Sequence, residues 1–174
     1  MADLRQIRPD EWRVLHDLAF AAFTDLEERQ GDDPIEPPPD HVIERRFRRV
    51  IETDPGGAWV AEEDGRPVGA GLAILREGLW GLSMLVVHPD AQSGGVGRAL
   101  LDRALKESKA RGHRLVVLVG DEPFYGRVGF KIIPKGRATM PGPVDHSRLL
   151  VAELVDGAFT DVSGAIGPDW SMAK

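Results

Sequence analysis

The most informative segment of this chain is Leu82-Ser83-Met84-Leu85-Val86-Val87-His88-Pro89-Asp90-Ala91-Gln92-Ser93-Gly94-Gly95-Val96-Gly97-Arg98-Ala99-Leu100-Leu101. Its apolar first part predicts a buried strand, its glycines predict a short loop, and the residues from Gly95 onward predict the start of an amphipathic helix. A helix that begins directly after such a loop leaves backbone N–H groups without partners at the positive end of its dipole. This arrangement is typical of a phosphate site, because glycine lets a pyrophosphate approach the backbone closely.

Two motifs resemble those of one enzyme superfamily. Gln92-Ser93-Gly94-Gly95-Val96-Gly97 fits the Q/R-x-x-G-x-G/A signature of the GNAT superfamily of N-acetyltransferases, and Leu85-Val86-Val87-His88-Pro89 looks like the strand which that family places before it. The later segment Gly120-Asp121-Glu122-Pro123-Phe124-Tyr125-Gly126-Arg127-Val128-Gly129-Phe130 is similar to the family's Y-x-x-x-G-F element. This second segment looks most like a bacterial branch known largely as predicted N-acetyltransferases.

The resemblance implies a binding site for acetyl-CoA, the expected cosubstrate. In the family, backbone N–H groups of the glycine loop hold the pyrophosphate, and the main chain of the preceding strand holds the pantetheine arm. The cofactor-binding residues expected on this basis are Leu85, Val86, Val87, Gln92, Ser93, Gly94, Gly95, Val96, Gly97 and Arg98. Ser93 stands where arginine or glycine is more usual in the family, and its backbone N–H is the same in either case.

Tyr125 is the expected catalytic residue. The family uses a tyrosine four residues before a Gly-Phe pair, here Gly129-Phe130, to protonate the departing CoA thiolate, and Tyr125 is the single tyrosine of the chain. A phenol with an ordinary pKa near 10 is suited to that donation. The acceptor is expected to be a primary amine of an unknown small molecule, protein or peptide. The sequence does not decide which group takes the proton from the amine. The candidates for this general base are water and the side chains of Glu27, Glu28, Ser83, Asp145 and His146.

Composition excludes several other classes of protein. The chain has 174 residues and a net charge of −6, which disfavours nucleic acid as a partner. The absence of cysteine excludes disulfides and an acyl-cysteine intermediate, so acetyl transfer is expected to be direct. No signal-peptide core, membrane-length apolar run or metal-ligand spacing of histidines is found, so we expect a cytoplasmic protein without membrane or metal. A homodimer is possible, because apolar residues such as Trp170 need to be buried somewhere.

The predicted fold is mixed α/β. We expect a mostly antiparallel central sheet of six to seven strands, a parallel βαβ unit at the cofactor site and about four flanking helices. A single domain is expected over residues 1–174, with a core at about 4–154 and a tail at 155–174 without assigned structure. The expected elements are strands at 4–7, 58–63, 67–76, 79–87, 115–119, 130–133 and 149–154, helices at 9–28, 40–52, 95–111 and 121–128, and a loop at 135–147.

Local signals set several boundaries between these elements. Asp40 is expected to cap the second helix, Asp64-Gly65 to form a hairpin turn, and Gly112 to end the helix that follows the glycine loop. A turn is expected at Glu77-Gly78 and an extended connection through Gly31-Asp32-Asp33-Pro34. The strand at 79–87 is expected at the centre of the sheet, because its apolar run is nearly continuous.

Other readings of the same features stay open. One keeps the fold without catalysis, as an acyl-CoA-binding or sensing module. A nicotinamide dinucleotide-binding protein is an alternative, because Gly95-Val96-Gly97 follows a predicted strand. It is a remote one, because Leu100 stands where the dinucleotide-binding fingerprint has its third glycine. The basic cluster Arg45, Arg46, Arg48 and Arg49 is interpreted either as a solvated helix face or as a rim that selects an anionic acceptor.

Overall fold

The computed structural model describes residues 2–31, 36–76 and 79–167. Within these ranges the chain forms four α-helices and nine strands. The helices are α1 (Trp12–Gln30), α2 (Asp40–Thr53), α3 (Val96–Ala110) and α4 (Glu122–Tyr125). The strands are β1 (Asp3–Gln6), β2 (Ala58–Glu63), β3 (Arg66–Arg76), β4 (Leu79–Val87), β5 (Leu115–Val119), β6 (Lys131–Ile132), β7 (Ala138–Thr139), β8 (Leu149–Glu153) and β9 (Gly164–Ala165).

Seven of these strands form one sheet with the order β1-β2-β3-β4-β5-β8-β6. The pairs β1–β2, β2–β3, β5–β8 and β6–β8 are antiparallel, whereas β4 and β5 are parallel from Leu79 opposite Leu115 to Leu82 opposite Leu118. The predicted mixed α/β fold is therefore confirmed. So are the central position of β4 and the parallel unit made by β4, α3 and β5.

The chain divides into two compact units. The first comprises Met1–Ile74 and Met84–Ala104, and the second comprises Leu75–Ser83 and Leu105–Lys174. Each unit has a hydrophobic core of its own. The single domain expected over residues 1–174 stays a prediction.

Strand β2 organises the core of the first unit by the alternation of its side chains. Ala58 and Val60 belong to one cluster, together with residues of α1 such as Leu15 and with Ile51 of α2. Trp59 and its neighbour two positions on, Ala61, belong to another cluster, with Val96 and Leu100 of α3. Because side chains of a strand alternate between faces, α1 and α2 cover one face of β2 while α3 covers the other.

The second unit contains structure that the sequence analysis did not predict. Its core includes Val117 of β5 and Val151 of β8, and the described part of the tail packs against them with Ala158, Phe159 and Ile166. Strand β9 in this tail pairs in parallel with β7, which lies in the segment expected to be a loop. The expectation of a plain loop at 135–147 was therefore wrong, and β8 is not the last strand.

Local turn chemistry accounts for the boundaries that were predicted well. Asp64 and Gly65 have φ of 50° and 74°, as a type I′ hairpin turn requires, and Gly112 has φ of 79° just after α3. Asp40 is the first residue of α2 rather than its cap; Pro39 takes the cap position, and no side-chain cap hydrogen bond forms there. The expected features at Asp32–Pro34, at Glu77-Gly78 and at Trp170 lie outside the described residues.

Candidate functional site

The glycine loop lies in the first unit and connects β4 to α3. After a 3₁₀ turn at Pro89–Ala91, the backbone is left-handed at Ser93, with φ of 67°, and again at Gly95, with φ of 82°. The first hydrogen bond of α3 runs from the Ala99 N–H to the Gly95 carbonyl, at 2.9 Å. The N–H groups of the three residues between, 96–98, therefore precede the helical ladder and lie at the positive end of the helix dipole.

Accessibility of this loop differs sharply from residue to residue. Ser93, Gly94 and Gly95 are exposed, whereas Val96 is buried in the cluster that also holds Trp59. A Cβ atom on Gly94 would lie 3.3 Å from the Ala91 carbonyl oxygen, so the loop is tightly wound at that position. An exposed, left-handed glycine loop fixed by a buried helix residue has the geometry of an anion site.

Gly69 on β3 is a site-supporting residue that the sequence analysis missed. A Cβ atom there would lie 2.9 Å from Cγ1 of Val96 and 3.1 Å from both the Val86 carbonyl oxygen and Cδ1 of Leu100. The missing side chain lets the first turn of α3 pack directly against the sheet. A glycine inside a strand pattern is a signal for such close approach and could have identified it.

Strand β4 places the three expected pantetheine-binding residues just before this loop. Val86 is buried in the core of the first unit, and Leu85 and Val87 are half-buried. The parallel ladder between β4 and β5 spans Leu79–Leu82 on β4, so 85–87 continue the strand beyond it. The main-chain groups of residues 85–87 are therefore not part of the hydrogen-bond ladder between β4 and β5.

Two polar side chains of the expected site have defined partners. Gln92 accepts a hydrogen bond at Oε1 from Nη2 of Arg29, at 2.8 Å, and its Nε2 donates to the Val87 carbonyl at 3.4 Å. Arg98 Nε donates to both carboxylate oxygens of Asp102, each at 2.9 Å. The side chain of Arg98 is thus paired along its own helix, whereas Gln92 is tied to α1.

Tyr125 lies in the second unit, at the end of α4, where its half-buried ring packs between two aromatic side chains. The ring centroids of Phe124 and Phe130 are 4.9 and 5.8 Å away, both in edge-on arrangements. Burial raises the pKa of the Tyr125 phenol, the negative charge of Asp121 raises it further, and Arg148 opposes both. The phenol therefore keeps its proton throughout the neutral range.

Comparison with known proteins finds a matching domain model and similar folds. Residues 54–132 match the model of the acetyltransferase (GNAT) domain. A GNAT-family N-acetyltransferase of Escherichia coli, solved in complex with CoA, superposes with a TM-score of 0.71 at 20% identity, over 99% of this chain and 92% of that one. The PaiA N-acetyltransferase of Thermoplasma acidophilum, solved with coenzyme A, gives a TM-score of 0.64 at 16% identity, over 88% and 99%.

The chain thus contains a segment, residues 54–132, that is similar to the acetyltransferase (GNAT) domain, and its fold is similar to that of GNAT-family structures. A curated relative, an uncharacterized N-acetyltransferase of Methanocaldococcus jannaschii, is 33% identical over an alignment of 98 residues that covers 49% of this chain and 43% of the relative. The chain thus spans less than half the length of that protein. The narrower assignment to a bacterial branch stays a prediction.

The expected site residues fall into two groups. All ten expected cofactor-binding residues lie in the first unit, within β4, the loop and the first turn of α3, whereas Tyr125 lies in the second. Their assignment to acetyl-CoA and to catalysis stays a prediction. The sequence could identify the motifs because each is local.

The side chains that were left open as the general base are spread over both units. Glu27 is half-buried on α1, Ser83 is exposed on β4, and His146 is half-buried in a 3₁₀ turn. Hydrogen bonds from the Ser147 hydroxyl and then from its N–H lower the pKa of Asp145, which makes that carboxylate a weaker base. The general base therefore stays open.

Neither a metal cluster nor a membrane-spanning helix is found in the described part of the chain. Across residues 2–31, 36–76 and 79–167, no group of three or more His, Asp or Glu side chains is arranged to hold a metal ion. None of the helices in those ranges is both long and apolar enough to cross a membrane.

Proposed function

We propose that this chain is an acetyl-CoA-dependent N-acetyltransferase that moves an acetyl group directly to a primary amine. The observation that carries the proposal is the loop between β4 and α3, where Ser93 and Gly95 are both left-handed and exposed in front of the helix N-terminus. Two such residues turn successive backbone N–H groups toward one side, which suits the pyrophosphate of CoA.

The residues of the loop fit that group in size and charge. Gly94 and Gly95 carry no side chain that would keep a pyrophosphate from the backbone, and the dipole of the 15-residue helix α3 favours a negative charge at its start. Main-chain groups of Leu85, Val86 and Val87 would hold the amides of the pantetheine arm. The other assigned contacts run from the start of the loop to the first turn of α3: Gln92, Ser93, Val96, Gly97 and Arg98.

Acetyl-CoA supplies the acetyl thioester, and Tyr125 would supply the proton that the departing sulfur needs. In direct transfer the amine nitrogen forms a bond to the acetyl carbon while the carbon–sulfur bond breaks. Tyr125 would donate its phenolic proton to that sulfur, and the amine would lose a proton to a base that stays open. Because its pKa is raised from an ordinary value near 10, the phenol carries its proton at neutral pH, as a general acid must.

The amino-acid composition favours direct transfer over a two-step route. The chain contains no cysteine, so an acyl-cysteine intermediate has no nucleophile. The acceptor amine belongs to a small molecule, a protein or a peptide. That the protein is cytoplasmic stays a prediction, and so does the possible homodimer.

The test is a calorimetric titration with acetyl-CoA, with NADH as the parallel control, followed by a panel of amines. Micromolar binding of acetyl-CoA without a response to NADH, and CoA release with at least one amine, would support the proposal. Binding without turnover on any amine would favour an acyl-CoA-binding or sensing module. Failure of acetyl-CoA to bind would refute the cofactor assignment.

Replacement of the phenol tests the catalytic role separately. Tyr125→Phe removes the hydroxyl and keeps the ring between Phe124 and Phe130, so acetyl-CoA affinity should be unchanged. Loss of a general acid should lower kcat by about 100-fold or more. An unchanged kcat would remove Tyr125 from catalysis and leave the cofactor assignment intact.

A further inference from the structure

Arg29 links the far end of α1 to the glycine loop. It lies in the last turn of α1, two residues before Gly31, whose left-handed backbone ends the helix. Its Nη2 donates a 2.8 Å hydrogen bond to Oε1 of Gln92, the first residue of the Q/R-x-x-G-x-G/A motif. No sequence pattern predicts this contact, because 63 residues separate the two positions.

The contact fixes the orientation of both side chains. Arginine carries only donors, so the Gln92 amide must turn its oxygen toward Arg29. Its nitrogen then points away and donates to the Val87 carbonyl at 3.4 Å. On the other side, the carboxylate of Asp25 pairs with the same Nη2 of Arg29 from one helical turn earlier. Asp25, Arg29, Gln92 and Val87 therefore form one chain of polar contacts within the first unit.

The guanidinium of Arg29 lies beside the loop and is paired with Asp25 one helical turn away, as Arg98 is paired with Asp102. Ser93 is neutral at a position where the superfamily often has arginine, and Arg98 is held by both carboxylate oxygens of Asp102. The side chain of Arg29 is 57% exposed, so a positive group beside the loop is accessible to an anion. Nε and Nη1 of Arg29 donate no hydrogen bond to another residue in the ranges that the structure describes.

We propose that Arg29 is a positioning residue for acyl-CoA. It holds Gln92 against the end of β4, so that the glycine loop keeps its shape before the cosubstrate arrives. The proposal rests on the assigned acyl-CoA function. It makes α1 part of the cofactor site.

The first measurement separates binding from chemistry. Arg29→Gln should raise the KM for acetyl-CoA and its dissociation constant roughly three- to tenfold, since charged hydrogen bonds at partly exposed sites have moderate strength. The kcat should stay within about twofold, because Arg29 contacts no reacting atom. Arg13→Gln is the matched control: Arg13 is on the same helix and 61% exposed, with Asp40 at 3.6 Å, and its KM should equal that of the wild type.

A double-mutant cycle tests the link to Gln92 itself. If Arg29 acts through Gln92, the loss of acetyl-CoA affinity in Arg29→Gln/Gln92→Ala should be roughly three- to tenfold smaller than the product of the losses in the single variants. Arg29→Lys keeps the charge without the planar fork and should fall between the wild type and Arg29→Gln. Thermal unfolding of each variant establishes that it is folded.

The outcomes distinguish the inference from the function on which it rests. Losses that simply multiply in the double variant, or an Arg29→Lys protein with wild-type KM, would reduce Arg29 to a helix-end cation and overturn the inference while the function stands. A wild-type protein that does not bind acetyl-CoA would overturn both.

Discussion

A Cβ atom on Gly120 would lie 2.3 Å from Cε2 and 2.8 Å from Cδ2 of Tyr125. The ring of the proposed general acid therefore occupies the space that any other residue at position 120 would fill. The Gly120 N–H donates to the Arg148 carbonyl at 2.8 Å, which fixes the backbone at this point. Gly120 is thus a determinant of where the phenol lies.

Gly120→Ala should displace the Tyr125 ring, because the ring is already packed against Phe124 and Phe130 and Gly120 cannot easily move. We expect kcat to fall by about 100-fold, as a displacement of about 1 Å of a catalytic group can cause, with acetyl-CoA affinity retained. Steady-state kinetics and calorimetry check this. Gly126→Ala is the control, because its Cβ would meet only the far end of the exposed Glu122 side chain, at 2.6 Å to Oε1. Wild-type kcat in Gly120→Ala would contradict the steric argument.

The titration of Tyr125 can be read directly, since it is the single tyrosine of the chain. In the folded protein the midpoint of tyrosinate absorbance should lie above the value near 10 that the denatured protein gives. Because the folded pKa is raised, this contribution to stability is fully present below about pH 10 and is lost as pH rises through the folded pKa.

Charge substitutions near Tyr125 should shift that midpoint in opposite directions. Asp121→Asn removes a negative charge and should lower it, whereas Arg148→Gln removes a positive charge and should raise it. Tyr125→Phe should abolish the transition. A folded midpoint at or below the denatured one would show that the phenol is not desolvated.

Gly69 should be as sensitive as the glycines of the motif, although it lies on β3. Gly69→Ala places a methyl group 2.9 Å from Val96 Cγ1 and 3.1 Å from the Val86 carbonyl oxygen. Such overpacking typically costs about 1–3 kcal/mol, and the shift of α3 should also weaken acetyl-CoA binding. Denaturant unfolding and calorimetry measure the two effects. Gly71→Ala is the matched control, because its Cβ would meet only Leu85 Cδ1, at an ordinary 3.8 Å. Equal stability of the two variants would contradict the prediction.

His113 should make folding stability depend on pH. Burial, and then the positive charge of Arg111, lower its pKa, and its ring packs edge-on against the fully buried Trp80 at 5.5 Å. A lowered folded pKa means that stability is present above about pH 6.5 and is lost as pH falls from there through the folded pKa. The midpoint of thermal or denaturant unfolding should therefore fall as the pH is lowered through that range.

The His113→Phe variant should show a smaller drop, since it keeps an aromatic ring against Trp80 and removes the titrating group. His41→Gln, at an exposed position of α2, should follow the wild type. An identical pH dependence in His113→Phe and in the wild type would assign the effect to other groups.

The predictions from sequence succeeded where neighbouring residues decide the structure. The hairpin at Asp64-Gly65 and the bounds of β4 follow from turn residues and from a nearly continuous apolar run. They failed at Asp40, where Pro39 takes the cap, and in the segments of β7 and β9. Each of those strands is two residues long, too short for a periodicity to identify it.

The sequence by itself determined the strand, glycine loop and helix of the superfamily motif, because backbone freedom at glycine and hydrophobic periodicity act within a few residues. Only the tertiary structure decided which distant residues meet. The side chain of Val96 packs against the backbone of Gly69, the Tyr125 ring fills the space beside Gly120, and Arg29 donates a hydrogen bond to Gln92. The reason is physical: these contacts join side chains brought together by packing, and packing distances are set by the whole fold rather than by local conformational preference.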